Sequence, residues 1–124
     1  MDRTFTLDEA RALLPELREV AADLVTVRAN LMDLQTTLSQ GQPSPLGGRA
    51  EAKALEAQLS ELLAWFPAQG LQVRGWAPLL LDFPSQLNGE EILLCWLEGD
   101  QALDWYHRPE HGFAGRRRLP VGAR

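Results

Sequence analysis

The 124 residues contain one cysteine, Cys95, so the chain can form no internal disulfide. Its neighbours in ILLCWL are apolar, and a thiol in such a run behaves as a small buried hydrophobe. Long apolar stretches are missing too. The longest, Leu79 to Leu81 and Ile92 to Leu97, fall far short of the roughly 20 residues that a bilayer crossing needs. The opening MDRTFTLDEA has no apolar signal-peptide core, and a cytoplasmic protein is expected. None of the four serines sits in a nucleophile elbow, and no GxxxxGK[ST] phosphate loop is present. A basic face is also lacking. Net charge is −5; the last thirteen residues, GFAGRRRLPVGAR, hold Arg116, Arg117, Arg118 and Arg124 and no acid, leaving −9 on residues 1 to 111. Four arginines on a terminal tail do not make a nucleic-acid surface, which needs a basic domain face with aromatics for stacking.

What is present has the balance of a soluble globular domain, 45% apolar and 23% charged, at the length of one domain. The pattern divides it into helix one over 6–39, a linker over 40–48, helix two over 49–67, and a β-meander with basic tail over 71–118. Thr6 followed by Glu9 is a capping box that opens helix one. From there Ala10, Leu17, Leu24, Leu31 and Leu38 recur every seventh residue, as do Leu13, Val20, Val27 and Leu34, which reads as a coiled-coil seam. Pro15 interrupts the helical hydrogen bonds and predicts a bend. Glu16, Glu19, Asp23 and Arg28 read as the solvated face. The breaker SQGQPSPLGG then returns the chain into helix two, an antiparallel hairpin.

At 1.5 Å per residue the first helix is about 50 Å long and the second about 27 Å, so the N-terminal turns overhang by about 20 Å. Leu13, Leu14 and Leu17 need another cover, either the C-terminal half or a second subunit. This mismatch favours a homodimer that self-associates through the hairpin.

Beyond Gly70 the period shortens to that of strands. LQVRGW, PLLLDF, EEILLCWL and ALDWYH predict three or four antiparallel strands, with Asn88-Gly89 and Glu98-Gly99-Asp100 as turns. Both faces of EEILLCWL are apolar, so that strand is central; ALDWYH looks half exposed. The fold class is therefore α+β: a long helical hairpin followed by a small antiparallel meander.

HRPEH, residues 107 to 111, fits the His-x-x-Glu-His spelling of inverzincin metallopeptidases. That chemistry needs both histidines on adjacent turns of one helix, and Pro109 between them breaks it. A metal held by His107, Glu110 and His111 around a turn is the lesser alternative, with Asp82 or Asp104 able to supply a further carboxylate. Asp82, just before Phe83-Pro84, reads as a strand-end cap or as a poised carboxylate. No cofactor motif is present.

With FTLDEARALLPELR at one end and LLLDFPS, ILLCWLEGD, WYH and GFAGRRR at the other, the chain resembles domain of unknown function family 2203, a family of small bacterial proteins. The resemblance implies no activity. Carried over position by position it points to Asp82, Pro84, Cys95, Trp96, His107, Gly112, Phe113, Gly115 and Arg116. Tyr106 stands where a Trp is expected, and His111 where an acid is expected, which makes the zinc spelling an accident of this chain. Two functional readings result. One is a non-enzymatic homodimeric scaffold. The other is a small-ligand or anion site gathering Asp82, Trp96, His107, Gly112, Phe113, Gly115 and Arg116; set against it, Arg116 reads as a solvated tail residue or an ion partner of the acidic body.

Overall fold

The computed structural model describes residues 3–123. Two helices, α1 (Leu7–Ser39) and α2 (Arg49–Ala68), precede five strands: β1 (Gln72–Trp76), β2 (Leu79–Leu87), β3 (Glu90–Leu97), β4 (Trp105–His107) and β5 (Arg117–Arg118). The strands pair in sequence order, all antiparallel, so the sheet is an uninterrupted meander. The α+β hairpin-and-meander is as the sequence implies. The tail adds a fifth strand, because Arg117 and Arg118 pair with Tyr106 and Trp105. Arg124 lies outside the described residues.

Helix α1 starts where the capping box places it: the Thr6 hydroxyl accepts from the Glu9 N–H, and the Glu9 carboxylate accepts from the Thr6 N–H. It then runs unbroken through Pro15. Its buried side chains are Leu7, Ala10, Leu14, Leu17, Ala21, Leu24, Leu31 and Leu34, an amphipathic stripe set by the sheet and α2. Of the second heptad row, Leu13, Val20 and Val27 are only half buried, and Leu34 is fully buried. Leu14 and Leu17 are covered by the same chain, in one core with Phe5, Leu81, Phe83 and Leu103. The overhang of α1 over α2 thus lies on the sheet, and it needs no second copy to bury it.

Two connections fix the helices to the sheet. Phe5 donates its N–H to the Pro84 carbonyl at 2.7 Å, and the Ser85 hydroxyl donates to the Phe5 carbonyl at 2.6 Å. Pro84 lies inside β2 rather than after it, which corrects the turn expected there. β1 stops pairing at Asp82, and beyond it Phe5 bonds Pro84 only at its carbonyl, so proline's missing N–H breaks no ladder bond with β1. The second connection is a clamp. Arg28 on α1 donates to both carboxylate oxygens of Glu98, at 2.7 and 2.8 Å, and to the Trp76 carbonyl at 2.6 Å; the Leu79 N–H donates to the same carboxylate. Arg28 is therefore a tether across the β1–β2 and β3–β4 turns, not the solvated residue its helix position suggests.

The Arg28 guanidinium, helped by the Leu79 N–H, holds the Glu98 carboxyl below its ordinary range. A depressed folded value means that the clamp contributes fully above the unfolded carboxylate value of about 4.3 and is lost as pH falls through the lower folded value. Glu98→Gln is expected to cost about 1–3 kcal/mol at neutral pH. Urea unfolding should show the gap to wild type narrowing toward pH 3, and an undiminished gap there would refute the clamp.

Candidate functional site

The two faces of the sheet carry different chemistry. Toward the helices point Leu79, Leu81 and Phe83 of β2 and Ile92, Leu94 and Trp96 of β3. On the other face, cross-strand partners place Asp82 opposite Cys95 and Leu93 opposite His107. Partners in register share a face, so Asp82, Cys95 and His107 meet on the side away from the helices. One ligand atom from each lies within 4.8 Å of the other two, and all three residues are buried.

Each has a further partner. His107 Nε2 lies 3.0 Å from Asp82 Oδ1, and Nδ1 lies 2.9 Å from the Arg108 carbonyl oxygen. A carbonyl only accepts, so Nδ1 carries a hydrogen, and one proton is shared between Nε2 and Oδ1 whichever atom bears it. The second Asp82 oxygen accepts from Arg74 Nε at 3.0 Å. Cys95 faces Arg116, whose guanidinium is sandwiched between Trp105 at 4.4 Å and Phe113 at 4.7 Å. Burial and the nearby Asp82 charge push the Cys95 thiol up to about 11, and Arg116 only partly offsets this.

This arrangement excludes one chemistry and permits another. Neither imidazole nitrogen is free to take a proton from Cys95, so it is not an activated nucleophile. A carboxylate, a thiol and an imidazole held together are instead a possible ligand set for a metal ion. A groove of about 310 Å³, bordered by Gln72, Arg74, Leu93 and Pro109, opens beside it. Arg74, about half exposed, stands between that groove and Asp82.

Several sequence expectations change. Asp82 is a mid-strand residue, not a strand-end cap. Trp96 faces the helical core and donates its indole N–H to the Asp100 carbonyl, away from the polar centre. β4 is covered on both sides, with Tyr106 and His107 both buried, rather than half exposed. Glu110 and His111 are exposed in the following turn, and among the described residues no potential metal cluster includes them. Arg116 is tucked over Trp105 and forms, among the described residues, one loose ion pair to Asp100 at 3.8 Å, so it is an ion partner of the acidic body rather than a solvated tail residue. Gly112 adopts φ 66° and starts the 3-10 turn Phe113–Gly115; at Gly115 a Cβ would sit 2.5 Å from that of His111. These glycines shape the segment that brings Arg116 in. Cys95 is the residue that sequence reasoning missed as a site member, having passed for a core hydrophobe.

These features define an α+β protein in which a helical hairpin backs a five-stranded meander and a closed polar centre occupies the opposite face. The chain belongs to domain of unknown function family 2203, described as an uncharacterized conserved protein, whose model matches residues 3–119. Neither the curated proteins nor the solved structures contain a match.

With metal removed by chelation, Cys95 should react with a disulfide reagent at pH 8 at least about a hundredfold more slowly in the folded chain than in urea, given an ordinary thiol value near 8.5. Equal rates would contradict the burial and charge environment described.

Proposed function

We propose that the protein is a ligand-binding module whose site is the polar centre of the outer sheet face. Asp82, Cys95 and His107 form its interior, and Arg74 and Arg116 flank it. One observation carries this reading: three buried groups of different chemistry converge beside a guanidinium whose buried Nη1 finds no hydrogen-bond partner. A buried donor left unmade costs about 1–3 kcal/mol. A buried ion pair is weak support for stability, and apolar residues of similar volume serve a sheet core as well or better. An arrangement that costs stability in this way fits a binding site better than a structural core. The module is non-enzymatic on this reading, since no group is poised as nucleophile or free base. Among the described residues no helix is long and apolar enough to cross a membrane; the cytoplasmic location is part of the proposal.

A thermal-shift panel of divalent transition metals, phosphate and small carboxylates tests the proposal. A ligand at a hundredfold above its dissociation constant adds about 2.7 kcal/mol, which raises the melting temperature by several degrees. The shift should vanish in both His107→Ala and Arg116→Ala. A panel without any hit on the wild-type chain would sink the proposal.

A second reading, a homodimeric scaffold joined through the hairpin, has its own observation. The outer side of the hairpin carries a groove of about 470 Å³, bordered by Val20, Val27, Leu62 and Trp65, all half buried. A two-fold pairing would finish burying this row. Light scattering over a concentration series should then show a dimer that Leu62→Glu dissociates. A strict monomer at high micromolar concentration ends this reading.

A further inference from the structure

The polar centre joins groups that suit one class of ligand better than any other. We infer that Asp82, Cys95 and His107 bind a single divalent transition metal of the zinc class, an assignment that rests on reading the centre as a ligand site.

The first support is donor identity. Thiolate, imidazole and carboxylate are the three protein ligand types that zinc takes, and three of them leave one position open. A tetrahedral ion with bonds of about 2.0–2.3 Å separates its ligands by about 3.3–3.6 Å. Asp82 Oδ1 and His107 Nε2 stand 3.0 Å apart, and the donor atoms of all three residues lie within 4.8 Å of one another. Small side-chain shifts close that difference.

The second support is the outer partners, which every one of the three ligands already has. His107 Nδ1 is held by the Arg108 carbonyl, which fixes the ring so that Nε2 faces inward. The free oxygen of Asp82 is held by Arg74, and Cys95 lies against Arg116. Pro109 contributes indirectly, because a residue before proline is held extended, and Arg108 is that residue.

The open fourth position supplies the third, because three protein ligands leave a tetrahedral ion room for one more group. Buried Arg116 Nη1, which makes no hydrogen bond and only a 3.8 Å ion pair to Asp100, is then available to a water or anion in that position. Arg74 bonds Asp82 and borders the neighbouring groove.

Cobalt(II), a spectroscopic stand-in for zinc, gives the test on the full-length, reduced, tag-free chain. Expected are one ion per chain, a near-ultraviolet thiolate-to-cobalt band and the intense visible bands of four-coordination. Cys95→Ser should lose the thiolate band. Arg74→Ala, at a half-exposed position, should weaken binding about 10- to 100-fold, as loss of an outer partner does, with the circular dichroism spectrum of the wild type retained. Stoichiometric zinc should displace the cobalt. The assignment is overturned if the wild-type chain takes up neither metal stoichiometrically at micromolar concentration, or if Cys95→Ser keeps the wild-type spectrum. Should phosphate or a carboxylate stabilise the chain while no metal does, the centre stays a ligand site and only the metal assignment falls. With no hit of any kind, both fall.

Discussion

Asn88 and Gly89 both have positive φ, 53° and 81°, and the two-residue turn they make decides which residue of β2 faces which residue of β3. Leu87 pairs with Glu90, and counting back from there puts Asp82 opposite Cys95. A slip of one residue would exchange the faces of the whole strand. Leu81 and Phe83 would then leave the helical core, and a carboxylate would enter it. The hairpin turn is thus a precondition for both the core and the polar centre. Residues without access to positive φ could not make this turn so readily, and the register would lose its main local determinant.

Given that register, the sheet has two apolar or half-apolar faces to cover, and the chain does so with unlike materials. The helices cover one face with leucine and phenylalanine, tied down by the Arg28–Glu98 clamp and by Phe5 on Pro84 and Ser85. The opposite face receives a short irregular segment, Gly112 to Arg118, whose contribution is largely aromatic and cationic: Phe113 and Trp105 hold the Arg116 guanidinium between them. Cation–π contacts tolerate a charge in a partly desolvated place at about 0.5–2 kcal/mol each. That is how an arginine can lie over a sheet beside a neutral thiol without forming a close ion pair.

The hairpin and the order of the strands were legible because they depend on local signals: a capping box, breakers at 39–48, and turn residues at 88–89 and 98–100. The Asn-Gly turn also carries the register that sets Asp82 opposite Cys95, but with the second strand expected to end at Phe83 that register was not read. Cys95 was passed over because its sequence neighbours are apolar, yet neighbours along a strand point to the other face. His107 was grouped with Asp82 and Arg116 as a candidate site, but register gave no reason for the grouping. The stretch between β3 and β4 is irregular, so no count from a turn gives Leu93 opposite His107. The clamp was hidden for a different reason. Arg28 sits among acidic positions of a helix whose tertiary partner lies 70 residues away, and charge patterning along a helix carries no information at that range. Pro84 misled because proline punctuates most strands; here an incomplete β1 leaves it room.

The two surfaces that remain unassigned by the fold, the polar centre and the apolar groove on the hairpin, lie on opposite sides of the helix-facing core. Pairing of two hairpins would bury Val20, Val27, Leu62 and Trp65 and leave the outer sheet face open. Occupying the polar centre would involve Arg74 of β1 and Arg116, which precedes β5, with no residue of the groove. Between them stand the buried leucines of α1 and the helix-facing side of β2 and β3, a close-packed layer. The elements that could link the two sides are few. Arg28 is the most direct of them, because it leaves α1 one residue after groove-lining Val27 and ends on Glu98, one residue beyond β3. The surfaces proposed for self-association and for ligand binding are thus structurally separate, so a substitution in one leaves the residues of the other in place.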